Sequence, residues 1–247
     1  MKIIVNGALG RMGAEICKLA DAKENIEILA RVDINAKTDE KERIFSSLSE
    51  VSAKADCIID FSHHSATDSL LSYACASKTP VVVATTGHTE EELAAILAAS
   101  KEIPVFHSGN MSLGIALLVK LAKQAALAFP DADIEIIEKH HNRKLDVPSG
   151  TALMLGNALK DVREGADLLV GRHENGKRQN SEIGIHSIRM GNIVGEHEVI
   201  IGTDTQTITL KHEAHSRSLF AEGAVEAAKY LANQQAGLYN MQTMLGE

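Results

Sequence analysis

The sequence is poor in aromatic residues and in proline. Aromatic residues make up 3% of its 247 residues, tryptophan is absent and only 4 residues are proline, whereas 45% are hydrophobic and 23% are charged. This composition excludes a disordered or fibrous chain and is typical of a soluble α/β protein. The length allows one large domain or two small ones, with enough residues to bury hydrophobic cores.

Cysteines and long apolar runs are scarce as well. Cys17, Cys57 and Cys75 are widely spaced and form no CxxC pair, which argues against a disulfide framework and a structural zinc site. We expect them to be buried in a protein of the reducing cytoplasm. No run of about 18 apolar residues occurs, and Met1 leads directly into a strand-like segment without a basic n-region. The sequence therefore predicts a cytoplasmic protein without a membrane span.

The chain also lacks an excess of positive charge. Its formal net charge is -8, which argues against a nucleic-acid-binding protein because such proteins present a basic face. An anionic small molecule is not excluded, since residues 138–144 are locally basic.

The first 33 residues have the pattern of a nucleotide-binding βαβ unit. A short aliphatic strand at residues 2–5 precedes Gly7-x-x-Gly10-x-x-Gly13, a helix follows to about residue 22, and a second strand ends in Asp33. The glycines allow a tight turn that a pyrophosphate can approach at the helix N-terminus, and Asp33 can accept hydrogen bonds from an adenosine ribose. The spacing differs from the commoner G-x-G-x-x-G, but the whole βαβ context predicts a dinucleotide site.

The sequence leaves the choice between NAD and NADP open. The carboxylate of Asp33 favours NAD because it repels a 2′-phosphate. Arg11, Arg31 and Lys37 lie nearby in the sequence and could offset that repulsion.

Strands and helices alternate through the rest of the first half. Further strands are predicted at residues 56–61, 80–84 and 103–106, with helices from 65 to 77 and from Thr89, and one short helix at 40–49. This alternation predicts an α/β fold with a Rossmann-type doubly wound parallel sheet. The polar strand ends at residues 61–64, 85–87 and 108–111 should then line one crevice with the glycine-rich turn.

The pattern changes in the second half. A helix at 113–129 and a strand at 133–141 are followed by a helix at 151–163, a loop at 171–181 and three strands at 183–190, 193–201 and 206–213. The short turns between these three strands predict antiparallel hairpins in a mixed, largely antiparallel sheet. We expect a dinucleotide-binding domain of residues 1–111 and 217–247, including a returning helix at 218–233, and a second α+β domain of residues 112–216.

The stretch from Glu138 to Ala152 is unusually polar, and 7 of its first 9 residues are ionisable. His140 and His141 point to opposite faces of an extended chain, so the backbone must bend after His140 if both are to reach one ligand. The helix that begins near Gly150, capped by Ser149 or Thr151, offers backbone amides to a carboxylate.

The other polar residues of this half do not by themselves indicate a functional site. Adjacent histidines lack the spacing of a zinc hydrolase, so no metal is predicted. Glu138, Lys139, Asn142 and Asp146 are interpreted as scaffold or solvent-facing residues. Most of the following residues are interpreted as exposed strand faces or subunit contacts: His186, Arg189, His197, His212, His215 and Arg217.

The polar stretch resembles the signature of the 4-hydroxy-tetrahydrodipicolinate reductase family. The matching positions are Glu138-x-His140-His141-x-x-Lys144-x-Asp146-x-Pro148-Ser149-Gly150-Thr151-Ala152. The resemblance extends over essentially the whole chain through Gly7 to Gly13, Asp60-Phe61-Ser62, Thr85-Thr86-Gly87, Gly109-Asn110 and Gly195-Glu196-His197.

This resemblance implies roles for particular residues. His140 would be the general acid/base and Lys144 a proton donor that also binds substrate, while His141 contacts the substrate and Gly150 and Thr151 hold a carboxylate. The residues implied to hold NAD or NADP are Gly7, Ala8, Leu9, Gly10, Arg11, Met12, Asp33, Thr85, Thr86, Gly87, Ser108, Gly109, Asn110 and Met111.

The resemblance also implies a reaction and an assembly. Reduced NAD or NADP would donate a hydride to a small heterocyclic dicarboxylate, and the second-domain sheets would join a homotetramer. Two alternatives remain at this point: a related two-domain dehydrogenase of amino-acid metabolism, and a nucleotide-binding sensor that has lost catalysis.

Overall fold

The computed structural model describes residues 1–246. Its strands are β1 (Lys2–Asn6), β2 (Glu27–Val32), β3 (Ile44–Phe45), β4 (Cys57–Asp60), β5 (Val81–Val83), β6 (Pro104–His107), β7 (Asp133–His140), β8 (Asp167–Val170), β9 (Glu182–Arg189), β10 (Gly195–Gly202), β11 (Thr207–Ala214) and β12 (Gly237–Tyr239). Its α-helices are α1 (Arg11–Asp21), α2 (Thr67–Ser77), α3 (Glu90–Ala99), α4 (Leu113–Ala128), α5 (Gly150–Lys160), α6 (Ser218–Leu231) and α7 (Met241–Met244).

These elements form two structural units. The first consists of Met1–Ser112 together with the chain from Ser218 onward, and the second of Leu113–Arg217. The first unit contains a seven-stranded sheet in the order β12-β6-β5-β4-β1-β2-β3, and every neighbouring pair in it is parallel. The strand order reverses between β1 and β4, and a crevice for a ligand opens at such a point.

The central strands of this sheet are buried on both faces. Ile3, Ile4 and Val5 of β1 and all three valines of β5 have no exposed surface. Short aliphatic strands that are buried on both faces are typical of a parallel sheet covered by helices, and the predicted parallel sheet is confirmed. Cys17 and Cys57 are buried within the same unit, and Cys75 is half-buried.

The second unit contains a five-stranded sheet in the order β11-β10-β7-β9-β8. Residues of β7 are buried alternately, so Ile134, Ile136, Glu138 and His140 share one face. Helices α4 and α5 cover that face and pack Leu118, Leu155 and Leu159 against its isoleucines. The α+β fold of this half and its mixed sheet are thus confirmed. The sheet is not largely antiparallel as predicted, because two of its four strand pairings, β7 with β9 and β8 with β9, are parallel.

Two local predictions were wrong. Residues 40–49 do not form a helix, because Ile44 and Phe45 pair with Arg31 and Val32 at the edge of the sheet, and only a 3-10 turn follows at Leu48–Glu50. Strands β9 and β10 do not form a hairpin, because β7 lies between them, parallel to β9 and antiparallel to β10. The hairpin of β10 and β11 is confirmed. Strands β8 and β12 and helix α7 were not predicted.

Candidate active site

The glycine-rich turn after β1 leaves no room for a side chain at Gly7 or at Gly13. The amides of Gly7 and Ala8 both donate to Val32 O, at 2.8 and 3.0 Å. Gly7 has a φ of +78°, and a Cβ at this position would lie 2.6 Å from Phe61 O. A Cβ at Gly13 would lie 2.1 Å from Gly7 O, so the first turn of α1 touches the loop backbone. The turn is therefore held close to the end of β4, with the start of α1 directed at it.

Asp33 accepts a hydrogen bond from the glycine-rich turn and lines a cavity beside it. Its Oδ2 accepts from Leu9 N at 3.1 Å, and its Oδ1 accepts from Asn35 N at 2.9 Å. Arg31, which could have offset its charge, instead pairs with Asp21 at 2.8 Å. The carboxylate is therefore fixed by backbone amides at the end of β2.

The cavity beside Asp33 has a volume of about 810 Å³, within the usual range for small-molecule sites. Gly7, Gly10 and Asp33 are the predicted cofactor residues that line it, together with Asn6, Ser62 and Tyr73 among others. Its size, the close glycine backbone and a fixed carboxylate fit the adenosine and pyrophosphate of a dinucleotide.

Asp60 ties three strand ends together beside this cavity. Its carboxylate accepts from Asn6 Nδ2 at 2.7 Å, Ser62 Oγ at 2.7 Å and Thr85 Oγ1 at 2.6 Å. Asn6 ends β1, and Ser62 and Thr85 follow β4 and β5. The buried carboxylate of Asp60 therefore fixes the distances between the carboxyl ends of these three strands. The sequence pattern placed Asp60 at a strand end but did not predict this role.

The other predicted cofactor residues are not among those that line the cavity: some lie on the loops after β5 and β6, and the rest lie in the glycine-rich turn and at the start of α1. Gly87 has a φ of +85°, and a Cβ at Gly109 would lie 3.8 Å from Thr86 Cγ2, so the loops after β5 and β6 are adjacent. Ser108 Oγ donates to Asn110 O at 2.8 Å, and Met111 is buried. Leu9 and Arg11 are exposed, Ala8 is buried and Met12 is half-buried.

In the second unit, the polar stretch is organised around a buried carboxylate. Glu138 is 0% exposed, and its Oε2 lies 2.5 Å from His140 Nδ1. Arg189 donates to both carboxylate oxygens, from Nη1 at 2.7 Å and from Nη2 at 2.6 Å. Burial by itself raises the pKa of Glu138, but the hydrogen bonds from His140 and Arg189 outweigh it and hold this pKa well below its ordinary value. Glu138 is thus a buried, ionised group.

Strand β7 ends at His140, and the chain then turns. His141 N donates to Ile193 O at 2.8 Å, and His141 Nδ1 accepts from Arg143 N at 3.2 Å. Lys144 Nζ lies 2.9 Å from Asp146 Oδ1. Partial burial and the charges of Arg143 and Arg217 lower the pKa of His141, which therefore favours a neutral ring.

Helix α5 begins beside these groups. Ser149 is its N-cap, and its Oγ accepts from Ala152 N at 3.2 Å, as one of the two predicted caps. Ser149 N donates to Glu138 Oε1 at 3.1 Å, which anchors the helix start to the buried carboxylate. Gly150 is exposed, and a Cβ there would meet no atom within 4 Å. The helix start thus opens into space near His140, which shares the carboxylate of Glu138 with Ser149 N, and Thr151 follows in its first turn.

His197 completes the buried cluster. Its Nε2 lies 3.1 Å from Ser149 Oγ, and its ring stands edge to face with that of His140 at a centroid distance of 5.2 Å. Burial, followed by the charge of His140, lowers the pKa of His197 to about 4. His197 is therefore neutral near pH 7.

The interpretation of Arg189 and His197 as exposed or subunit-contact residues was wrong, since Arg189 binds Glu138 and His197 is 4% exposed. Glu138 is part of the scaffold, but it does not face solvent. The sequence contained one usable signal, because Glu138 and His140 are two residues apart in a strand and must share a face. Nothing in the sequence indicated which residues of β9 and β10 would meet them.

Replacing His197 with glutamine should remove a pH dependence of stability. Because the pKa of His197 is about 4 in the folded protein and about 6.5 in an unfolded chain, protonation between these values favours unfolding. The free energy of unfolding should therefore fall by on the order of 3 kcal/mol as the pH drops through this window. Urea unfolding at pH 7 and pH 4.5 should show a smaller loss in His197→Gln than in the natural protein. His173→Gln, in an exposed loop, is the control, and an unchanged loss in His197→Gln would contradict the assignment.

Two global features concern other classes of function. Within residues 1–246, none of the helices is both long enough and apolar enough to cross a membrane. Over the same residues, no group of three or more His, Cys, Asp or Glu side chains is arranged to hold a metal ion.

Both halves of the chain match models of one protein family. The model described as dihydrodipicolinate reductase, N-terminus, matches residues 1–111, and the one described as dihydrodipicolinate reductase, C-terminus, matches residues 114–245. The chain is 46% identical to the 4-hydroxy-tetrahydrodipicolinate reductase of Caldanaerobacter subterraneus subsp. tengcongensis, over 99% of this chain and 98% of the relative. It is also 46% identical to that of Clostridium novyi, with the same two coverages.

Solved structures share the fold of this chain. A dipicolinate-bound dihydrodipicolinate reductase from Paenisporosarcina sp. TG-14 superimposes with a TM-score of 0.84 at 25% identity, over 99% of both chains. A diaminopimelate dehydrogenase of C. glutamicum reaches a TM-score of 0.59 at 12% identity, over 98% of this chain and 93% of its own, which shows the fold alone.

Neither alternative to a reductase is supported, because the family models and the relatives match both halves of the chain. The predicted fold class, enzyme class and cofactor class are confirmed. The chain belongs to the dihydrodipicolinate reductase family of NAD(P)-dependent oxidoreductases, as its sequence predicts.

Proposed function

We propose that this protein reduces 4-hydroxy-tetrahydrodipicolinate to tetrahydrodipicolinate with NADH or NADPH, in the diaminopimelate route to lysine, and that His140 and Lys144 carry the proton chemistry. The observation that carries this proposal is the arrangement around Glu138, which places His140 beside the start of α5 and the loop of Lys144. A relative that shares this fold has been solved with dipicolinate, a flat heterocyclic dicarboxylate of the same kind as the substrate.

The substrate carries two negative charges, which need cationic or amide partners. The start of α5 offers the amides of Gly150 and Thr151 and the positive end of the helix dipole to one carboxylate. Lys144 adds a full positive charge, and its present partner Asp146 is largely exposed, so that a ligand carboxylate can replace it. His141 lies in the same loop and is assigned to contact with the substrate.

The reaction adds a hydride and a proton to the ring and releases water. The reduced nicotinamide supplies the hydride when it is bound to the first unit. The electron-rich product needs an acid, and we assign this role to His140 because histidine is the side chain that most often transfers a proton in such reactions. Nδ1 of His140 is engaged with Glu138, so Nε2 is the atom assigned to exchange a proton with substrate. Lys144 Nζ is assigned as a second donor.

We assign the cofactor and the substrate to different parts of the chain. We assign the nucleotide to residues 1–111 with 217–247, because the glycine-rich turn, Asp33 and the cavity belong to this part. We assign the substrate to residues 112–216, because Glu138, His140 and the start of α5 meet there. We assign the subunit contacts to the opposite face of the same sheet, where Ile137 and the 39% exposed Ile188 lie among paired charges. We also infer a cytoplasmic homotetramer, and a light-scattering mass other than four times 26.5 kDa would contradict that assembly.

One assay tests the reaction. The protein is mixed with freshly generated substrate and either NADH or NADPH, and the absorbance at 340 nm should fall with at least one of the two cofactors. Dipicolinate should inhibit this loss competitively with substrate. Samples without protein or without substrate are the controls, and no oxidation with either cofactor would refute the proposed function.

A further inference from the structure

We propose that Glu138 is a positioning residue for the reaction: its buried carboxylate holds the Nδ1–H of His140, directs Nε2 towards the substrate and fixes this acid relative to the start of α5. The inference rests on the proposed function of His140. It assigns a mechanistic role to a residue that the sequence indicated only as scaffold.

Glu138 contacts His140 and the start of α5 directly, and it is linked to the loop of Lys144 through Arg189. Its Oε2 engages His140 Nδ1 at 2.5 Å, and its Oε1 accepts from Ser149 N at 3.1 Å. Arg189 binds both oxygens and also donates from Nη2 to Asp146 O at 2.9 Å, in the loop that contains Lys144. The carboxylate of Glu138, together with Arg189, thus connects His140, the start of α5 and the loop that contains Lys144.

This geometry determines which nitrogen of His140 can react. An ionised carboxylate accepts hydrogen bonds and donates none, so the Nδ1 that faces it must carry a hydrogen. Nε2 is then the atom that gains or loses a proton. A Cβ at Gly195 would lie 3.2 Å from Nε2, so the missing side chain at this position leaves room for the imidazole edge.

A purely structural role explains these contacts poorly. A buried ion pair between Glu138 and Arg189 contributes little net stability over apolar side chains of similar volume, because both charges lose water. Arg189 alone already satisfies both oxygens, so the fold does not need the additional contact with His140. A carboxylate next to a histidine does have a chemical use, since it sets the tautomer and favours the protonated ring.

Arg189 has a second effect on this acid. Its positive charge balances that of Glu138, so His140 can become neutral after proton donation without leaving an unpaired buried charge. The titratable and charged groups that face His140 are Glu138 on β7, Arg189 on β9, His197 on β10, and His141 and Lys144 in the loop after β7.

The test replaces Glu138 with glutamine, which keeps the size of the side chain but removes its charge. We expect kcat to fall by about 10- to 100-fold, with the KM for substrate and the affinity for NADH within about twofold of the natural values. Because the protonated ring loses its counter-charge, the alkaline limb of the kcat profile should move to lower pH. Glu138→Asp keeps the charge and should restore the position of this limb, with partial recovery of kcat.

Glu102→Gln is the control. Glu102 lies in the loop before β6, outside the substrate unit, and pairs with Lys78 at 3.2 Å. This variant should keep the natural kcat and the natural pH profile. A folded Glu138→Gln protein with unchanged kcat and alkaline limb would overturn the inference.

A second measurement needs no change at Glu138. In protein labelled with ¹⁵N-histidine, long-range ¹H–¹⁵N correlations should show the neutral ring of His140 with its proton on Nδ1, assigned by the loss of these signals in His140→Gln. A proton on Nε2 would refute the contact, and this result also decides the question if Glu138→Gln fails to fold. The spectrum is independent of turnover, so an inactive natural protein would refute the proposed function while leaving this contact to be judged by itself.

Discussion

Replacing Lys144 with alanine should lower kcat/KM by about 10²- to 10⁴-fold, the range for loss of a positioned proton donor. The variant removes the cation of the loop after β7, which we assign both to a substrate carboxylate and to proton transfer. The ion pair with Asp146 is exposed on the aspartate side, so its loss should change the free energy of unfolding by less than about 1 kcal/mol. Steady-state rates at 340 nm and NADH titration measure the two expected effects: a large loss of turnover and a nearly unchanged cofactor affinity.

Two further lysine variants sharpen this test. Lys144→Arg keeps a positive charge but cannot release a proton near neutral pH, so it should recover KM more than kcat. Lys160→Ala removes an exposed lysine from the end of α5 and should behave as the natural protein. Lost NADH affinity in Lys144→Ala would contradict the assignment of the cofactor to the first unit and of Lys144 to the substrate.

Replacing Gly13 with alanine should abolish dinucleotide binding. The new Cβ would lie 2.1 Å from Gly7 O and 2.7 Å from Ala8 Cα, and both contacts are with backbone. No rotamer can relieve such contacts, so α1 must move away from the turn, at a cost of about 1–3 kcal/mol or more. The same movement displaces the amides that approach the pyrophosphate, so the Kd for NADH should rise at least about 100-fold, roughly the loss of 3 kcal/mol of binding energy.

The measurements for Gly13→Ala are NADH titration and thermal unfolding. Gly176→Ala is the control, because its Cβ meets no atom within 4 Å and its φ is not positive. Dipicolinate binding, which we assign to the second unit, should survive in Gly13→Ala if that unit stays folded. Normal NADH affinity in this variant would show that the glycine-rich turn does not hold the dinucleotide.

The sequence predicted the site best where the chemistry is local. The turn from Gly7 to Gly13 follows from its glycine spacing, with no room for a Cβ at Gly7 or Gly13, and the cap at Ser149 follows from a serine before a helical pattern. Gly13 meets the backbone of Gly7, and Ser149 accepts from Ala152 N, so these two contacts lie within a few residues along the chain. Such contacts are visible in a linear pattern.

Prediction failed where the partner is distant in the chain. Residues 40–49 looked helical from their charges, yet Ile44 and Phe45 pair with the edge of β2. The segments at 183–190 and 193–201 looked like a hairpin because their connection is short, yet β7 separates them. Hydrogen-bonded pairing between strands decided both cases, and a local pattern does not contain that information.

The sequence by itself determined the parallel sheet, the nucleotide-binding turn, the family and the presence of a histidine, a lysine and a helix start within one short stretch. Only the tertiary structure decided that Glu138, Arg189 and His197 belong with them. Arg189 is 51 residues from Glu138 along the chain and His197 is 48 residues from Ser149, and they meet because β9 and β10 flank β7. Burial then makes the protonation state of each of these groups dependent on its neighbours, which is why the fold, rather than the linear pattern, determines the roles of Glu138, Arg189 and His197.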